Sequence, residues 1–76
     1  MITGAQMRAA RGILSWSTRE LADTSGVSVS TIKRMEEADD VPNVMAGNLV
    51  AVQKALEEAG VSFIPANGGK AGVRPR

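Results

Sequence analysis

Through the first sixty residues the apolar positions recur three and four apart, the spacing of a buried helical stripe, and short polar breaks interrupt it. Thr3 followed by Gln6 reads as a capping box, and behind it Ala5, Met7, Ala9, Ala10, Ile13 and Leu14 predict a first helix over about Gly4 to Leu14. Ser17 followed by Glu20 repeats the signal, and Leu21 with Ala22 gives a short second helix, about Thr18 to Ser25, stopped by Gly26. Ser28 stands where an N-cap belongs ahead of Val29, Ile32, Met35 and Glu36, so a third helix begins almost at once. Two short helices joined by a tight glycine turn make a helix-turn-helix. After Pro42, Asn43 is placed to cap a fourth helix over about Val44 to Ala59, on which Met45, Leu49, Val52 and Leu56 form the apolar stripe. Gly47 and Asn48 weaken its first turn, which allows a start nearer Asn48, and Gly60 is its stop.

The period then changes. Val61 to Ile64 is rich in strand formers, Asn67, Gly68 and Gly69 are turn residues, and Ala71 to Arg74 can return as a partner strand. A two-stranded hairpin alone is marginal, and a chain of 76 residues buries a thin core, so this hairpin needs a second surface. One solution is a homodimer with Val61, Phe63 and Ile64 in the contact; the other folds the hairpin back over Leu49, Val52 and Leu56 of its own chain.

Composition removes whole classes of chemistry. With no cysteine and no histidine there is no thiolate or imidazole catalyst, no usual zinc site and no disulfide, and a reducing, cytoplasmic setting is expected. No cofactor is implied. Gly4, Gln6, Arg8 and Arg11 break up the start of the chain, and the longest uncharged stretch, Val41 to Gln53, is too short and too polar for a membrane span. Gly69-Lys70 lacks the rest of a phosphate loop, Asp39-Asp40 does not continue into a calcium loop, and adjacent carboxylates on a helix point apart, so no enzyme is expected. The methionines Met7, Met35 and Met45 read as core filling, and Trp16 as an apolar staple ahead of the second helix.

Net charge is only +1, but it is unevenly spread. Residues 1 to 34 carry five basic and two acidic side chains, residues 35 to 60 one basic and six acidic, and the tail three basic ones. Such a chain can offer a basic face to an anion and an acidic face elsewhere. On the third helix, at about 100° per residue with Ile32 inward, Ser28, Met35 and Glu36 fall on the inner side, while Ser30, Lys33, Arg34 and Glu37 face away.

The run Trp16, Ser17, Thr18, Arg19, Glu20, Leu21, Ala22, then Gly26, Val27, Ser28, then Thr31, Ile32, Lys33, Arg34, Met35, Glu36 resembles the phage repressor and Cro-like (Xre) family of DNA-binding domains. The resemblance covers roughly residues 3 to 60. It implies a mainly α, compact four-helix, lambda-repressor-like helix-turn-helix domain over 1–60, to which 61–76 adds a short C-terminal strand or hairpin and a basic tail. It also implies a third helix laid in the major groove of double-stranded DNA and a role as a transcriptional regulator that works by occupying an operator.

Within that frame, Arg34 has the bidentate donor for guanine, Ser30 can bond to base edges, and Val29 can meet a thymine methyl. Phosphate contacts are expected at helix starts and from nearby cations: Ser17, Thr18, Arg19, Ser28, Lys33 and Asn43. The family commonly has Gln where this chain has Thr18, and Arg19 is the substitute grip. Arg11 and Glu36 pair structurally in the resembled family, and an inward carboxylate needs such a partner, with Arg8 or water as the alternatives. After that Glu the family favours Asn-Gly and basic residues, whereas here Glu37, Ala38, Asp39 and Asp40 follow. Acidic groups beside DNA repel phosphates, so this loop either turns outward or lowers affinity. The acidic run also motivates a second function, a protein-interaction module such as an antitoxin-like or regulatory subunit.

Overall fold

A computed structural model describes residues 2–65 and 71–76. The chain runs α1 (Gly4–Leu14), α2 (Thr18–Ser25), α3 (Val29–Glu37), α4 (Ala46–Ala59), β1 (Val61–Ile64) and β2 (Gly72–Pro75), the two strands pairing antiparallel with Phe63 opposite Val73. It is a mainly helical domain with a short C-terminal hairpin. The expected turn residues Asn67, Gly68 and Gly69 lie outside the described residues.

The helix ends form for local reasons. Both capping boxes close: Thr3 accepts from the Gln6 N–H and Ser17 from the Glu20 N–H, each returned by the longer side chain. Helix α2 ends on Gly26 at φ 77°, a left-handed conformation that suits glycine. Helix α1 ends on Ser15 at φ 56°, with the Trp16 N–H donating to the Arg11 carbonyl at 2.9 Å. No glycine marks that end in the sequence.

Helix α4 departs from expectation. It starts at Ala46, with Met45 as an N-cap that offers no side-chain bond, so Asn43 is not the cap. Pro42 is buried, and its carbonyl accepts from the Val44 N–H at 3.1 Å, a tight turn that delays the helix by two residues. Met45 is therefore left beyond the end of the apolar stripe and is 76% exposed, not core.

The core draws on every helix and on β1: Met7 and Ala10, Leu21, Ile32 and Met35, Leu49, Val52 and Leu56, and Val61 are all buried. Trp16, Phe63 and Val73 pack against this cluster, half-buried. The hairpin thus lies on α1 and α4 of its own chain. Val61 is fully buried within the chain and so is not free for the expected dimer contact, while Phe63 is half-buried and Ile64 is exposed. Strand alternation explains the split, since Val61 and Phe63 share the face that helices cover.

Gln6, itself buried, ties the hairpin down. Its Nε2 donates to the Ile64 carbonyl at 3.2 Å and the Gly72 carbonyl at 2.7 Å, while its Oε1 accepts from the Thr3 N–H. Gly4 serves the other side of α1: a Cβ there would overlap the carbonyl oxygens of Ala38 and Met35. Only glycine lets the α3–α4 loop approach so closely. Among the described residues no helix is long and apolar enough to cross a membrane.

Candidate nucleic-acid interface

Helix α3 is fixed from within. Ile32, Met35 and Glu36 are buried, and that burial leaves Ser30, Lys33, Arg34 and Glu37 exposed along the opposite stripe. Ser28 caps the helix, its Oγ accepting from the Thr31 N–H at 3.3 Å and donating to Thr31 Oγ1 at 2.8 Å, with Ser30 Oγ 3.3 Å away. The Ser28 hydroxyl is thus engaged. Anion contact there falls to the N–H groups of Val29 and Ser30, since that of Thr31 is taken by Ser28, and to the Ser30 hydroxyl. Val29 is half-buried at the helix start.

Arg19, Asp23, Gly26, Ser28 and Val29 line one shallow groove, so the start of α3 and the outer side of α2 form a continuous surface. Arg19 and Asp23, one turn apart on α2, pair along its side at 3.4 Å, both largely exposed. An exposed pair of this kind costs little to open, so Arg19 can turn to a phosphate. The Ser17 side chain and N–H are both occupied by the capping box, which leaves the N–H groups of Thr18 and Arg19 as the first-turn donors of α2. Thr18 is half-buried. Asn43 lies exposed in the loop before α4 and contributes no helix-start donor.

Beneath this surface Arg11 Nε and Nη2 each donate to one oxygen of the Glu36 carboxylate at 2.7 Å, and Nη1 donates to the Trp16 carbonyl at 2.9 Å. The pair joins α1 to the end of α3 and to the entry of α2. The hydrogen bonds to Glu36, working against partial burial, raise the Arg11 pKa above its ordinary value. Arg8, left open as a partner for Glu36, takes a different role: it donates to the Glu36 backbone carbonyl and pairs with Asp39 at 2.8 Å. No sequence pattern pointed to the Arg8–Asp39 contact, because the two residues lie 31 positions apart and both belong to charge types that usually face solvent.

Among the described residues no group of three potential metal ligands is placed to hold an ion. No protein-family model and no curated protein matches the chain.

Proposed function

We propose that the chain is a sequence-specific DNA-binding regulator that acts by occupying an operator, with α3 in the major groove. The observation that carries this reading is the division of α3 between an inner side locked by Ile32, Met35 and the Arg11–Glu36 pair and an outer side that presents Ser30, Lys33 and Arg34. A rigid helix with an exposed bidentate donor is what base recognition requires. Arg34, Ser30 and Val29 are the proposed base readers; Lys33, Arg19 and the first-turn N–H groups of α2 and α3 are the proposed phosphate grips. Two copies related by a two-fold axis, their α3 helices about 34 Å apart, would read a palindrome. Sedimentation equilibrium of the intact chain tests that dimer. No enzymatic step or cofactor belongs to the proposal.

Selection of binding sites from random duplex DNA at two salt concentrations tests the reading, because it reports specificity and phosphate use together. Arg34→Ala is expected to cost about 1 to 3 kcal/mol on the selected site and to relax discrimination at one base pair, whereas Lys33→Ala weakens all sequences alike. Retarded complexes without an enriched sequence would instead favour the protein-interaction module. Equal losses for Arg34→Ala on selected and random DNA would demote Arg34 to a phosphate contact.

A further inference from the structure

The acidic segment that follows α3 poses a problem for any DNA-binding surface built on that helix. Glu37 ends the exposed stripe that carries Ser30, Lys33 and Arg34, and Asp39 and Asp40 come directly after it. A chain leaving the helix there without an anchor would carry its carboxylates along the groove-facing side, where they repel phosphates. In the structure the chain turns back. Ala38 leaves the helix in an extended conformation, and the Asp40 carbonyl accepts from the Gly4 N–H at 3.0 Å. Arg8 then reaches across from α1 with both arms of its guanidinium, one to the Glu36 carbonyl and one to Asp39 Oδ1 at 2.8 Å.

We infer that Arg8 is a positioning residue for the DNA-facing surface, an inference that rests on the DNA-binding reading above. It acts through the loop. One arm satisfies a carbonyl at the C-terminal end of α3, where the helix leaves its last acceptors unpaired. The other pairs with Asp39 and offsets its charge. Arg11 cannot stand in, since all three of its donor nitrogens are committed to the Glu36 carboxylate and Trp16. The missing Cβ of Gly4 permits the close approach on which this geometry depends. The clamp offsets one charge of the acidic run: Asp39 is held in an ion pair on the α1 side, so it opposes Lys33 and Arg34 less than an unpaired carboxylate would.

A double-mutant cycle on DNA affinity tests the inference with the full chain: wild type, Arg8→Ala, Asp39→Asn and the double variant, each on the duplex selected by the wild type, at two salt concentrations. Melting midpoints are measured alongside. Arg8→Ala is expected to weaken binding about fivefold at low salt and less at high salt. Asp39→Asn in that background restores most of the affinity without restoring the midpoint, while Asp39→Asn alone changes affinity less than about twofold. A merely structural role for Arg8 would move affinity and midpoint together. Simple charge counting would give Asp39→Asn the same factor in both backgrounds, and that additive outcome overturns the inference. Arg8→Lys keeps the charge but not the two-armed reach, so wild-type affinity in that variant overturns it as well. A wild-type chain that selects no duplex removes the DNA-binding reading and this inference together; a selected site with an additive cycle removes this inference alone.

Discussion

Truncating Arg11 to alanine should damage the fold far more than truncating Arg8, although the two arginines lie less than one turn apart on α1. Arg11 makes three hydrogen bonds of 2.7 to 2.9 Å, and its side chain and that of Glu36 are only 22% and 8% exposed. Arg11→Ala strands the Glu36 carboxylate inside the protein, and breaking a buried pair in this way costs about 3 to 5 kcal/mol. A domain of this size has roughly 4 to 11 kcal/mol of stability in total, so the loss is a large part of it. Arg8 and Asp39 are 42% and 87% exposed, and a solvated pair contributes only about 0.2 to 1 kcal/mol. At about 4 to 8 °C per kcal/mol, the Arg11 variant should melt at least about 12 °C below wild type, and the Arg8 variant within a few degrees of it. Calorimetry of both variants measures the difference. Because the Arg11 pKa is raised, its share of stability is complete below the ordinary arginine range and is lost only as pH rises through the higher value, so neutral and mildly alkaline buffers should give the same gap. Replacing both partners, as in Arg11→Met with Glu36→Leu, should recover much of the loss, since no charge is left stranded. Similar midpoints for Arg11→Ala and Arg8→Ala would refute the reasoning and mean that Glu36 finds its partner in water.

Two further outcomes follow from contacts made by α1. Gly4→Ala should cost more than about 2 kcal/mol, because the new methyl group meets backbone oxygens of Met35 and Ala38 rather than a movable side chain; a wild-type melting midpoint would show that the loop gives way. Gln6→Ala should cost about 1 to 3 kcal/mol by removing the side-chain donor to the Ile64 and Gly72 carbonyls, and amide exchange should quicken in the hairpin while α2 and α3 stay protected; unchanged hairpin exchange would count against the tie.

Local chemistry made most of the secondary structure readable. Capping boxes at Thr3 and Ser17, the cap at Ser28 and the left-handed Gly26 act within a few residues, so the start of α1, both limits of α2 and the start of α3 follow from short patterns. The inward setting of Glu36 was readable for the same reason, since helical period alone fixes which side faces Ile32. The start of α4 was less so: Asn43 has the right side chain for a cap, but the burial of Pro42 and the turn to Val44 push the helix onward to Ala46. That shift also left Met45 in solvent. Strand β2 runs one residue later than its composition suggested, because its limits depend on register with β1.

What the sequence by itself determined is therefore the helix-turn-helix and the polar outer stripe of α3, both consequences of period and of caps within one turn. The tertiary structure alone decided which elements of the chain the hairpin packs on, α1 as well as α4. It also decided which arginine takes which acceptor. Arg8 and Arg11 are alike in type and near in sequence, and their different reach across to α3 sends one to the carbonyl and Asp39 and the other to the Glu36 carboxylate. Gln6 and Gly4 had readable local roles, a cap partner and a helix start, yet their main work is at contacts 31 to 66 residues away in the chain. Such contacts leave no periodic trace, because a donor or a missing methyl group is matched to its partner by the packing of whole elements and not by spacing along the chain.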